Sequence, residues 1–154
     1  MSELFDMRKQ VQAPDGLAAG KLLADLVDRV SHRGGQTLRV MSEANVTLQQ
    51  VLLLTRLGHE GPCSASDLAN SLNLSPPAIS QAIDRLTNAE LVSRIEDPVD
   101  RRKKQLATTE RANRLLDRLA TARAHEYGAG LSRLSKETQR QLAMVVRAAL
   151  IQLK

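Results

Sequence analysis

Apolar residues recur along this 154-residue chain at the three-and-four spacing of amphipathic helices, except in one short stretch past the middle. Leu17, Leu22, Leu23, Leu26, Val27 and Val30 predict a helix from about residue 16. Gly34-Gly35 kinks or breaks it, and Leu38, Val40 and Met41 resume the pattern to about residue 44. Thr47 caps a second helix, Leu48 to about Leu57, whose Val51-Leu52-Leu53-Leu54 run is apolar nearly all round and predicts a central position. Gly58 and then Gly61-Pro62 end it. Ser64, with Asp67 three positions on, is an acidic variant of the capping box and opens a short helix over 65–72. A turn at Asn73-Leu74 leads through Ser75-Pro76-Pro77 into a helix to about residue 88. The exception follows: Leu91 to Asp97 reads as a strand, and Asp97-Pro98-Val99-Asp100 carries type I turn chemistry. Lys103 to Ala107 returns, so 91–107 is a β-hairpin. Thr109 caps a long helix with Ala112, Leu115, Leu116, Leu119 and Ala122 on one side, weakened at its end by Gly128 and Gly130. Ser135 and Thr138 start the last helix, which carries Leu142, Val145, Val146, Ala149, Leu150 and Leu153.

This order predicts a mainly α fold with a small β-hairpin wing: a winged helix-turn-helix flanked by N- and C-terminal helices. Three segments follow, an N-terminal helical part over 1–46, a helix-turn-helix lobe over 47–109 and C-terminal helices over 110–154. The last helix keeps its apolar stripe almost to the C-terminus, where an isolated monomer would fray. The stripe packs either on the N-terminal helix of the same chain or on a second subunit, and the second choice makes a symmetric dimer.

Composition narrows the function. Aromatics are 1% of the chain, only Phe5 and Tyr127, so single-strand recognition by base stacking lacks its platforms. A β-sandwich is disfavoured for the same reason. The single Cys63 excludes an internal disulfide and a cysteine-rich zinc site. Met1 to Phe5 lacks the plan of a signal peptide, and no apolar run reaches the roughly eighteen residues of a membrane span, which together predict a cytoplasmic protein. Charge is uneven: residues 1–93 hold 8 Lys/Arg against 10 Asp/Glu, whereas residues 94–154 hold 14 against 7. That asymmetry makes nucleic acid the first candidate partner, with a merely solvated basic face as the alternative.

Within 65–84, Leu68, Leu72, Leu74, Ile79 and Ala82 are the expected buried positions of two crossed helices, and Ala69 lets them approach. Asn73 occupies a turn that needs a left-handed backbone, for which Asn is the best substitute for Gly. Ser75 is the expected N-cap of the second helix, with its hydroxyl accepting from the Ala78 amide and with Pro76 and Pro77 in the first turn. Ile79, Ala82, Ile83 and Leu86 point inward, leaving Ser75, Pro77, Ala78, Ser80, Gln81, Asp84 and Arg85 outward. Docking of such motifs places this face in the major groove. There Gln81 can pair bidentately with adenine, Ala78 can touch a thymine methyl, and Arg85 can reach guanine or phosphate. Asp84 is expected to orient Arg85 or a neighbour. In the hairpin, Arg94 and then Asp100-Arg101-Arg102-Lys103-Lys104 suit a minor groove, where the negative potential is deepest. Asp100 can fix an arginine by a bidentate pair. A solubilising charged edge is the alternative.

With these residues in place the chain resembles the MarR family of bacterial transcriptional regulators. The resemblance rests on Asp67-Leu68-Ala69, Leu74-Ser75, Asp84-Arg85-Leu86, Leu91-Val92-Ser93-Arg94, Asp100-Arg101-Arg102 and Thr109-Glu110, and covers about 47–127 by motif. It implies a homodimer interlocked through the terminal helices. The second helices of the two motifs would enter successive major grooves of a palindromic double-stranded site about 34 Å apart, with the wings flanking them. By similarity Gln81 and its neighbours read bases, Arg101 is the wing tip, and Arg102 pairs with Asp100 or a phosphate. Ser75, Pro77, Ala78, Ser80, Gln81, Arg85, Arg94, Arg101, Arg102, Lys103 and Lys104 form the expected DNA-binding set. Members usually repress genes, and many release DNA when a small phenolic or amphipathic effector binds. Three positions depart from the family pattern: Glu90 stands for the usual Gly after the second helix, Thr108 for Leu, and Ala112 for a frequent Gly. At Glu90 a changed helix exit or a strained residue is expected.

Other chemistry is not indicated. Cys63 is expected to be an inert, packed thiol. His32, His59 and His125 lack metal-ligand spacing, and no nucleophile elbow, Walker loop or dinucleotide turn occurs, so neither an enzyme nor a cofactor is expected. An effector pocket would be lined by aliphatic residues of the first, second and fifth helices, with no residue assigned to the ligand. The competing function is a winged-helix DNA-binding or protein-interaction module without ligand control.

Overall fold

The computed structural model describes residues 15–31, 35–97, 100 and 104–153. Among the described residues there are seven helices and one hairpin: α1 (Gly16–Ser31), α2 (Gln36–Glu43), α3 (Leu48–Glu60), α4 (Ala65–Ser71), α5 (Pro76–Asn88), β1 (Val92–Glu96), β2 (Lys104–Thr108), α6 (Glu110–Leu131) and α7 (Lys136–Gln152). The chain is mainly α with a small wing, a winged helix-turn-helix flanked by helices, as the hydrophobic pattern predicts. The described chain divides into two compact units, Gly35–Ala124 and the two ends, 15–31 with 125–153.

The Gly35–Ala124 unit is built round α3. Thr47 and Gln50 form a reciprocal cap: the Gln50 amide donates to Thr47 Oγ1 (3.3 Å), and the Thr47 amide donates to Gln50 Oε1 (2.8 Å). Leu53, Leu54 and Leu57 are buried, and Leu68, Leu86 and Leu119 are buried with them in one core. The central position holds for one side only, because Leu48 and Leu52 face out. Nor does Gly58 end the helix. A glycine inside a helix costs about 1 kcal/mol relative to alanine without breaking it. The chain turns only at Gly61, whose φ of 80° suits a residue without Cβ.

The first strand is one residue shorter at each end than its expected span, and the second begins and ends one residue later. Val92 pairs with Thr108, Arg94 with Leu106 and Glu96 with Lys104. Cys63 adds a third short partner: its amide donates to the Leu106 carbonyl (3.2 Å) and its carbonyl accepts from the Leu106 amide (2.8 Å). This bridge ties the loop before α4 to the wing, and nothing in the local sequence pattern announces it. The expected turn at Pro98-Val99 lies outside the described residues.

In the unit of the two ends, α1 and the C-terminal end of α6 come together at Val30 and Gly130. A Cβ built on Gly130 would overlap the Val30 carbonyl oxygen and stand 2.5 Å from the Val30 Cα. Gly128 and Gly130 lie in the last turn of α6, which ends at Leu131, and Gly130 is where its backbone meets α1. Ser135 caps α7, accepting from the Thr138 amide at 3.1 Å. No described residue of α7 is buried, and Met144, Val145, Leu150 and Ile151 are exposed along it.

Candidate nucleic-acid interface

Helices α4 and α5 are positioned by their ends. Ser64 Oγ accepts from the Asp67 amide at 3.1 Å and donates to Asp67 Oδ2 at 2.6 Å. The Asp67 carboxylate thus binds the capping hydroxyl, where a full capping box would have it reach the Ser64 amide. Leu68 and Ala69 are buried under α4; Leu72 and Leu74, expected to be buried, are half-buried against the core. Asn73 takes φ 51°, the left-handed backbone its place in the turn requires, and the Leu74 amide closes onto the Ala69 carbonyl at 3.0 Å.

Helix α5 begins at Pro76 with Ser75 in extended conformation. The expected bond from the Ala78 amide to the Ser75 hydroxyl is not made. The two prolines already fix the first turn, and the Ser75 side chain is left facing solvent. Ile79, Ala82, Ile83 and Leu86 are buried. Ser75, Pro77, Ser80, Gln81, Asp84 and Arg85 are exposed on the opposite face, with Ala78 half-buried. The outward set read from the helical period is therefore assembled on one surface.

The wing adds charge to that surface in an arrangement the sequence did not disclose. Arg94 Nη2 lies 3.2 Å from Asp84 Oδ1, so the partner of Asp84 is a strand residue ten positions on, not Arg85 beside it. Lys104 Nζ lies 3.2 Å from Glu96 Oε1 across the hairpin. The Asp97 carboxylate accepts from the Asp100 amide (3.0 Å) and from Gln105 Nε2 (2.7 Å), which closes the base of the turn. Arg101, Arg102 and Lys103, and with Arg102 the expected Asp100–Arg102 pair, lie outside the described residues. A cleft of about 440 Å³ runs between α4, α5 and the hairpin, with Ser66, Asn70, Ser80, Arg94 and Lys104 among its lining. Ser66 and Asn70 were not among the expected site residues; only the tertiary approach of α4 to the wing brings them there.

The exit of α5 is locked to α6. Glu90 has φ 58°, a strained backbone where the family pattern has Gly. Its carbonyl accepts from Thr109 Oγ1 (2.7 Å) and its carboxylate from Arg111 Nη1 (3.1 Å). The same Thr109 hydroxyl accepts from the Ala112 amide at 3.1 Å and so caps α6.

Elsewhere in this unit, Glu43 accepts from Arg39 (2.9 Å) and Arg118 (2.8 Å), and the two guanidinium groups hold its carboxyl below the usual range. Arg56 pairs with Glu60 at 2.5 Å. Burial pushes the half-buried Cys63 thiol up, and the carboxylates of Glu60 and Asp67 add to the effect. Such a thiol holds little thiolate at neutral pH. His59 and His125 are exposed, and His32 lies outside the described residues. Among the described residues no group of three His, Cys, Asp or Glu could hold a metal ion, and no helix is long and apolar enough to cross a membrane. A second cleft of about 450 Å³ opens between α3 and α6, lined by Val51, Thr55, His59, Leu116, Asp117 and Arg123 among others.

Known proteins share this arrangement. Residues 46–104 match the family model described as MarR family. The uncharacterized HTH-type transcriptional regulator YhbI of Bacillus subtilis is 30% identical over 114 residues, which are 74% of this chain and 73% of that one. Among solved structures, the transcriptional regulator Tm0710 of Thermotoga maritima superposes with a TM-score of 0.73 at 20% identity, over 86% of this chain and 92% of that one. The MepR–DNA complex of S. aureus superposes with a TM-score of 0.66 at 22% identity, over 85% and 99%.

Proposed function

The chain belongs to the MarR family of transcriptional regulators, and from that membership we propose that it is a homodimeric, sequence-specific reader of palindromic double-stranded DNA. In this reading it represses transcription in the cytoplasm until a small-molecule effector releases it. The observation that carries the reading is the α5 surface: a buried apolar side fixes the helix while Ser75, Pro77, Ala78, Ser80, Gln81 and Arg85 lie together on its other side. Arg94 and Lys104 stand beside that surface, and Arg101, Arg102 and Lys103 extend the same charge in sequence. Residues 47–109 read DNA, and residues 1–46 and 110–154 hold the dimer. The exposed apolar residues of α1 (Leu17, Leu22, Leu23) and of α7 support that division, because such surface on a soluble chain marks a partner. The α3–α6 cleft supports an effector, since it joins apolar walls to a few polar groups.

Two measurements test the DNA-reading part. Binding to a duplex selected from random sequence should weaken steeply with salt, and Arg101→Ala with Arg102→Ala should flatten the log–log slope by about four, one for each phosphate that the two arginines of each protomer no longer neutralise. An unchanged slope removes the wing from the interface. Gln81→Ala should cost about 1–3 kcal/mol per half-site of the selected duplex and relax preference at one position in each. If selection with that variant returns the same site with the same stringency, Gln81 reads no base.

A further inference from the structure

We infer that Asp84 is a specificity-determining residue that acts through Arg94, bracing the wing against the DNA-reading helix. The inference rests on the DNA-reading function proposed above and adds a role for a carboxylate which that function leaves out.

Asp84 is on the exposed side of α5, the side that also carries Ser80 and Gln81. A carboxylate facing a phosphate backbone is repelled, so an acidic residue there opposes binding to every duplex alike unless it does something else. Its bonding shows what else it does. Asp84 Oδ1 holds Arg94 by Nη2 alone, at 3.2 Å. The remaining guanidinium N–H groups stay available for a phosphate, and a guanidinium has five donors to share. Arg94 is on β1 opposite Leu106, and it lines the cleft into which Ser80 of α5 and Lys104 of β2 also face. The pair therefore runs from the helix that would read the major groove to the hairpin that would flank it.

The hairpin has its own internal ties, Glu96 to Lys104 and Asp97 to Gln105, so it can move as one piece. The Cys63–Leu106 bridge holds that piece to the loop before α4, and Asp84–Arg94 adds a direct tie from it to α5. In water an exposed pair of this kind is weak. Against DNA, where phosphates and bases displace water, the same pair strengthens as the local dielectric falls. A duplex that accepts helix and wing at the fixed angle keeps the pair; one that does not must break it. Discrimination between duplexes is then the quantity the pair controls.

The test measures affinity for the selected duplex and for an unrelated duplex of equal length at the same salt. Asp84→Asn should bind the unrelated duplex more tightly, because a repelling charge is gone. Its ratio of selected to unrelated affinity should fall about three- to fivefold for each half-site, the size one exposed pair can supply. Asp84→Glu, which keeps a carboxylate within reach of Arg94, should retain most of the ratio. Arg94→Ala should lower the ratio as well, and the double variant Asp84→Asn/Arg94→Ala should lower it no further than Arg94→Ala does, since a single interaction is removed in each case. If Asp84→Asn raises both affinities equally and leaves the ratio unchanged, Asp84 is a solvated charge and the inference fails while the DNA-reading function stands. Additive losses in the double variant also overturn it. A wild-type chain that binds no duplex in preference to another overturns both.

Discussion

Gly130→Ala should lower the thermal unfolding midpoint of the chain by about 6–12 °C, corresponding to a loss on the order of 3 kcal/mol. The added methyl would overlap the Val30 carbonyl oxygen and stand 2.5 Å from the Val30 Cα and 2.6 Å from its Cβ. Two of those three atoms are backbone, so no rotamer change makes room; α1 and the end of α6 must separate. Val30 is the buried residue of α1, and the separation would expose it. Gly20→Ala supplies the opposite sign within the same unit. Nothing stands within 4 Å of a Cβ at Gly20, inside α1, and alanine there should raise stability by up to about 1 kcal/mol. Differential scanning calorimetry of the two variants checks both. If dimerisation uses these helices as proposed, Gly130→Ala should also weaken self-association. Equal midpoints for Gly130→Ala and wild type would show that the close approach of α1 and α6 contributes nothing.

Leu54→Ala should cost about 2–5 kcal/mol. Leu54 has no exposed surface, and it sits in the core shared by α3, α4, α5, the hairpin and the first half of α6. The cost combines the lost transfer of apolar surface with a cavity that a well-packed surround fills only in part. Leu52 is the control, half-exposed two residues earlier on the same helix, and Leu52→Ala should cost less than about 1 kcal/mol. Chemical denaturation with the slope held constant separates the two. A comparable loss in both would contradict the one-sided burial of α3. Because Leu54 is wholly buried in α3 and not part of the exposed side of α5, the folded fraction of Leu54→Ala should keep its duplex preference, a readout that distinguishes loss of stability from loss of recognition.

What could be read from the chain alone follows the range of the interactions involved. The helices were legible, with α1 and α2 read as one helix kinked or broken at Gly34-Gly35, because their signals are local: an apolar period, a capping side chain at Thr47, Ser64 or Ser135, and a turn residue at Asn73. The strained backbone at Glu90 was one of the two outcomes implied by the resemblance, which has Gly at that place. The inward and outward sides of α5 followed from period alone, and every residue assigned outward is exposed or half-buried. Long-range ties were not legible. The bridge from Cys63 to Leu106, the pair between Glu43 and Arg118, and the brace from Asp84 to Arg94 each depend on how separate elements dock. No short-range rule selects Arg94 over the adjacent Arg85. The continuation of α3 past Gly58 was missed because glycine weakens a helix by only about 1 kcal/mol, less than tertiary packing can restore. At Gly130 the missing side chain serves that packing directly.

In the proposed dimer two copies of this chain hold two α5 helices at the pitch of one duplex. Sedimentation equilibrium with a duplex selected by the chain, run beside the same duplex with one half-site scrambled, reads this arrangement. Two chains should bind the intact duplex in a single step, with a marked loss of affinity when either half is scrambled. One chain per duplex, or equal binding to the intact and scrambled sites, would contradict it.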